Sequence, residues 1–141
     1  MMRYLIAVLA LAGAVVSGLA LQVHYSTATE PCSINEQWDC GVVNHSPFAV
    51  IGRVPVAAIG IVGYLVLAGL ALLRWRFVLM VMAFAAFCFA LRLTLIEEFD
   101  LGVWCLYCVI SQGIIAIIML LSVGWLGADY AALKRAERRR V

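Results

Sequence analysis

Four stretches of this sequence run twenty residues or more with almost no charge, and that pattern limits what the chain can become. Twenty uncharged residues lie between Arg3 and His24, twenty between Arg53 and Arg74, and twenty-eight between Asp100 and Asp129. Twenty more separate Arg76 from Glu97, interrupted only by Arg92. A helix needs about 20 apolar residues to cross the hydrocarbon core of a bilayer. Backbone groups in lipid have no water to bond, so each stretch is expected to be helical. Composition agrees: 66% of residues are hydrophobic and 13% charged, against about half and a quarter in soluble domains.

The expected fold is all-α and integral to the membrane: a four-transmembrane-helix bundle with a cysteine-bearing periplasmic loop. Spans are placed at about 4–23, 54–73, 77–96 and 104–126 within a membrane domain over 1–128, followed by a basic cytoplasmic tail over 129–141. The first stretch competes with a signal peptide. It is longer than a usual signal core and no small-residue cleavage site is obvious, so it is read as an anchor. Small residues at Gly60, Gly63, Ala68 and Gly69 are expected to let helices approach closely.

Orientation follows from the basic residues. With four spans, Arg3, Arg74, Arg76, Lys134, Arg135, Arg138, Arg139 and Arg140 fall on one side, which is eight of the ten Lys and Arg. That side is expected to be cytoplasmic and to hold both termini, with the tail lying on anionic headgroups. The opposite side carries Glu30, Glu36, Asp39, Glu97, Glu98 and Asp100. The net charge of +2 is small, and no nucleic-acid partner is expected.

Five cysteines are many for 141 residues. Cys32 and Cys40 lie in the first outer loop, and Cys105 and Cys108 at the outer start of the last span, all on the oxidising side. Cys88 sits mid-span between Phe87 and Phe89 and reads as a small hydrophobe. Cys105-Leu106-Tyr107-Cys108 is a C-x-x-C motif. Residues three apart on a helix share a face, and free amides with the macrodipole at a helix start favour a thiolate. The thiolate is the form that attacks a disulfide. Structural staples are a weaker reading, because a C-x-x-C pair closes almost no loop. Zinc is also weaker, because seven residues between Cys32 and Cys40 is not a usual knuckle spacing. The favoured reading is a relay in which one pair meets a soluble partner and the other a lipid-soluble two-electron acceptor, with exchange through a mixed disulfide. A quinone is such an acceptor.

These residues carry a resemblance. Cys32-x7-Cys40, Ser46 six residues after Cys40, and Trp104-Cys105-Leu106-Tyr107-Cys108 at the start of the last span resemble the vitamin K epoxide reductase family, in particular its bacterial members. The likeness runs from about Tyr4 to Trp125. Cysteine order separates it from the DsbB-type quinone oxidases, where the C-x-x-C comes first and the loop pair later. The resemblance implies roles. Cys105 and Cys108 would be the active pair, with Cys108 beside the quinone, ubiquinone or menaquinone. Cys105 would form the mixed disulfide with Cys40. Cys32 would meet the partner thiols, and Ser46 would hold the loop cap or bond near the quinone. The partner would be a separate DsbA-like, thioredoxin-fold periplasmic protein, and the setting a bacterial inner membrane.

The chain also departs from the vertebrate enzymes. The loop after the serine is shorter, and no counterpart of their quinone-binding asparagine is evident near Pro55 or Val56. Their tyrosine four residues after the last cysteine is Gln112 here, a candidate donor to a quinone carbonyl. These departures suit disulfide formation better than epoxide reduction. Vitamin K quinone or epoxide reduction is the enzymatic alternative, and a disulfide-stapled membrane scaffold the non-catalytic one.

Other polar residues have ordinary explanations. His24 and His45 are read as solvated loop residues, with His45 the better candidate for proton handling. Arg92 is expected to snorkel toward Glu97 or Glu98. Phe48, Phe99, Trp104 and Tyr107 form an interfacial belt, and some of them could wall a quinone headgroup.

Overall fold

A computed structural model describes residues 1–27 and 32–140; Glu30, counted above with the outer acids, lies outside them. The chain is mostly helical. Long helix α1 spans Met2–Tyr25, short helix α2 Cys40–Asn44, and α3 Val56–Leu72. Helix α4 spans Arg76–Ile96 and continues as one π turn over Glu97–Leu101, and α5 spans Leu106–Arg140. Three segments are long and apolar enough to cross a membrane: Met2–Tyr25, Arg76–Leu101 and Leu106–Arg140. Helix α3 is also apolar but has 17 residues, about 26 Å at 1.5 Å per residue.

The shortening of α3 has local causes at both ends. At its start, strands β1 (Val50–Ile51) and β2 (Val54–Pro55) pair antiparallel, Val50 opposite Pro55 and Ile51 opposite Val54. Gly52 and Arg53, the two turn residues, both have positive φ, 53° and 76°. That is the backbone of a two-residue type I′ hairpin turn. The hairpin takes Val54 and Pro55 out of the expected span. At its end, Arg74 has φ 63°. Its N–H bonds the Ala71 carbonyl and the Trp75 N–H bonds Leu70. This 5→2, 6→1 pair is a Schellman stop, and it turns the chain into α4 within Leu73–Trp75.

Helix α1 packs most closely on α3, and it also packs on α5; α4 packs on α5. The buried stripe of α1 is Ile6, Ala7, Ala10, Gly13, Ser17, Ala20 and Val23, a spacing of three and four that holds one helical face. A methyl group on Gly13 would fall inside the van der Waals space of the Tyr64 ring. One on Gly60 would lie 2.8 Å from Ser17 Oγ. Close approach therefore rests on Gly13 of α1 and Gly60 of α3. Ala68 is buried, while Gly63 and Gly69 have nothing within 4 Å of that position. The core joins Ile6, Ala10, Tyr64, Leu67, Leu79 and Ile118.

At the opposite end from the cysteines, Arg76 pairs with Asp129 of α5, and its guanidinium stacks 4.8 Å from the centre of the Trp125 ring. This clamps the start of α4 to α5. Helix α5 runs on unbroken through Asp129 to Arg140, and its last ten residues are all exposed.

Cys88 is exposed on the candidate span that contains α4. One residue does not sit as its sequence neighbourhood suggests: Glu97, counted above as an outer-face acid and a target for Arg92, is buried. The π turn carries it inward while Glu98, Phe99 and Asp100 stay exposed. Arg92 is itself exposed.

Candidate active site

The loop after α1 is organised around Asp39. Its Oδ1 accepts from the N–H groups of Gly41 at 2.8 Å and Val42 at 3.2 Å, and from Ser33 Oγ at 2.8 Å. It is thus the N-cap of α2, filling amides that a helix start leaves without partners. The Ser33 hydroxyl foremost, then the Val42 and Gly41 amides and His45, hold this carboxyl below the ordinary carboxylate value against the opposing effect of partial burial. Cys40 opens α2, is fully buried, and is disulfide-bonded to Cys32.

Backbone bonds dock this loop onto the segment that precedes α5. The Asp39 N–H donates to the Trp104 carbonyl at 3.0 Å, and the Trp104 N–H donates to the Gln37 carbonyl at 2.8 Å. The Trp38 and Trp104 rings lie 6.1 Å apart, tilted by 38°. Trp104 immediately precedes Cys105, so the bridge brings one cysteine pair against the other. Val23, Cys32, Cys40, Val43 and Cys105 form one buried cluster, with Cys108 packed on its edge.

Helix α5 begins at Leu106, which puts Cys105 in the capping position. The Cys108 N–H points at Cys105 Sγ, 3.4 Å away, as the third amide of a helix points at a capping oxygen. Both thiols are free. Cys105 is fully buried and has two further polar neighbours. Asn44 Nδ2 donates to the Cys40 carbonyl at 2.9 Å and points at Cys105 Sγ at 3.6 Å. Glu97 Oε2 accepts the Cys105 N–H at 3.1 Å, and Glu97 and Cys108 line the same cavity.

Cys108 lines a cavity of about 380 Å³, within the size range of small-molecule sites. Gly60, Gly63, Ala86 and Phe89 give it apolar walls, and Phe48 and Ser46 close it at the loop end. Tyr64, Ser111, Thr94, Glu97 and Asn44 supply its polar groups. The Tyr64 hydroxyl is 2.8 Å from both the carbonyl oxygen and Oγ of Ser111, which ties α3 to α5 across the cavity. Ser46 Oγ donates to the Val43 carbonyl at 2.7 Å, closing the end of α2. Gln112 is half-buried, its Oε1 has no partner among the described residues, and it is not part of the cavity wall. His24 Nδ1 bonds the Asn44 carbonyl and His45 Nδ1 the Gly41 carbonyl, so both histidines brace α2.

Asn44, Glu97 and the Tyr64–Ser111 pair were not singled out by the sequence. Asn44 is four residues from Cys40 and shares its helical face, and Tyr64 is the one hydroxyl-bearing residue in its apolar stretch. Those two signals were present. Glu97 had none, since its inward turn comes from the π geometry.

Apolar helices around a cavity, with two cysteine pairs gathered at one end, define a helical membrane protein built for cysteine redox chemistry. The model of the vitamin K epoxide reductase family matches residues 4–123, and the chain belongs to that family, whose members are oxidoreductases. No curated protein matches the chain significantly.

Proposed function

We propose that the protein is a four-span membrane thiol–disulfide oxidoreductase. It takes electrons from a reduced thioredoxin-fold partner at Cys32–Cys40, moves them to Cys105–Cys108, and delivers them to a quinone, so that the partner leaves with a new disulfide. The observation that carries this reading is the position of Cys108, which lines the apolar cavity while its partner Cys105 packs in the cluster that contains the Cys32–Cys40 disulfide. The two ends of the proposed relay are the loop disulfide, which is buried in this state and meets a partner through local opening, and the cavity beside Cys108.

The chemistry follows from thiol exchange. A partner thiolate attacks the Cys32–Cys40 disulfide and leaves oxidised, and the freed Cys40 thiolate attacks a Cys105–Cys108 disulfide through a mixed disulfide with Cys105. The resulting Cys105–Cys108 dithiol, beside a closed Cys32–Cys40 bond, is the state described here. A bound quinone supplies the two-electron acceptor. Phe89, Leu93 and Tyr107 are placed to hold a ring, and Ser46 and Asn44 stand at the loop end of the cavity. The eight basic residues on one side support an orientation with both termini in the cytoplasm and the cysteines in the periplasm of a bacterial inner membrane.

The test uses the full chain in proteoliposomes containing ubiquinone or menaquinone, supplied with a reduced thioredoxin-fold protein. Quinone absorbance should fall in step with partner oxidation, and Cys108→Ala should stop it while Cys32–Cys40 remains exchangeable. Thiol-dependent quinone reduction that persists in Cys108→Ala would overturn the proposal.

A further inference from the structure

Glu97 is a buried ionisable group that the relay as stated does not use. It is 3% exposed, lines the same cavity as Cys108, and accepts the N–H of Cys105, the other cysteine of the C-x-x-C pair. Among the described residues it has no cationic partner at ion-pair distance. A buried carboxylate without a cation is costly. A glutamine could accept the same N–H without burying a charge, so holding Cys105 in place does not by itself require an acid here. A proton-carrying group does.

We propose that Glu97 is the proton carrier of the quinone step: its carboxylate takes the Cys108 thiol proton and passes it to a quinone oxygen. This rests on the quinone reading above. Oxidation of the dithiol breaks two S–H bonds and forms the Cys105–Cys108 S–S bond. Two electrons pass to the quinone, whose two carbonyl oxygens become hydroxyls. One proton travels from Cys108 through Glu97 to the nearer oxygen. The Cys105 proton leaves to solvent, and the second quinone oxygen takes one from solvent, so the count closes. The other titratable side chains around the cavity are Tyr107 of α5 and Tyr64 of α3; Glu98 and Asp100 on the same turn are exposed, and His24 is engaged with the Asn44 carbonyl. None of them combines an acid lining the cavity with a bond to the C-x-x-C backbone as Glu97 does.

The variants to compare are Glu97→Gln, which keeps an acceptor for the Cys105 N–H, and Glu97→Asp, which keeps the proton. A positioned general acid–base is worth about 10²–10⁴-fold. In the proteoliposome assay, Glu97→Gln should slow quinone reduction by about a hundredfold or more and flatten its pH profile, and Glu97→Asp should recover part of the rate. Exchange at Cys32–Cys40 should keep its wild-type rate in both, which reports an intact fold. A Glu97→Gln rate and pH profile matching wild type overturns the inference and leaves the relay standing. Absence of quinone turnover in wild type overturns the relay instead. In that case, alkylation of Cys108 in a Cys105→Ser background still tests the proton transfer. Glu97→Gln should slow it several-fold at neutral pH by removing the base that takes the Cys108 proton, and unchanged alkylation refutes the role.

Discussion

Removing the Asp39 side chain should loosen the helix that carries Cys40, and the size of the effect can be worked from its bonds. In Asp39→Ala the Gly41 and Val42 amides and the Ser33 hydroxyl lose their common acceptor. Loss of an N-cap costs about 1 kcal/mol, and the Ser33 bond, half-exposed, adds roughly another 1 kcal/mol. Local opening of α2 would then be easier by about 2 kcal/mol, or about 30-fold at 1.4 kcal/mol per decade. A buried disulfide reacts through such openings. The assay is reduction of Cys32–Cys40 by a water-soluble phosphine, quenched by alkylation and followed over time at neutral pH. Asp39→Ala should react about 30-fold faster than wild type, and a rate within twofold of wild type refutes the reasoning. The pH dependence gives a second check. The folded-state value of Asp39 is depressed, so its capping stabilisation is full above the unfolded value of about 3.9 and is lost as pH falls through the lower folded value. Wild-type reduction should therefore accelerate in that acid window, and the Asp39→Ala rate should not.

Two further outcomes concern the helix packing. Gly13→Ala should destabilise the fold by about 1–3 kcal/mol through overpacking against the Tyr64 ring, whereas Gly69→Ala, whose methyl would meet open space, should melt like wild type in detergent; equal melting temperatures for the two variants would contradict the packing described. Tyr64→Phe keeps the ring against Gly13 and loses only the link to Ser111, so its melting point should fall by about 1 kcal/mol equivalent, and a larger loss than in Gly13→Ala would show that the hydroxyl, not the ring, holds α3.

Much of this architecture is legible in the residues because lipid imposes a coarse rule. Uncharged length alone located the four long helices, three of which are long and apolar enough to cross a membrane, and helix starts expose amides, which is why a C-x-x-C at the head of α5 could be read as a favourable place for thiols. What escaped depends on backbone geometry. The ends of α3 are set by the Gly52–Arg53 turn and by Arg74 in a left-handed conformation, neither of which a hydropathy pattern encodes. The inward rotation of Glu97 comes from one π turn, and from its neighbours it looked the same as Glu98. Gly13 was invisible because its importance lies in a ring on another helix. At the site, the cysteine spacing drew attention to Cys32, Cys40, Cys105 and Cys108, while Asn44, which joins the two pairs, required knowing that a five-residue helix begins at Cys40.

The backbone bridge between Gln37–Asp39 and Trp104 has a kinetic consequence. Because it joins main-chain groups, the proximity of the two cysteine pairs does not depend on the side chains at 38 and 104. Tethering turns exchange between the pairs into an intramolecular event, governed by an effective concentration set by the chain and not by how much protein a membrane holds. In the proposed relay, dilution or crowding of the bilayer would therefore alter how often a partner or a quinone arrives, but leave the internal hop between them at a fixed rate.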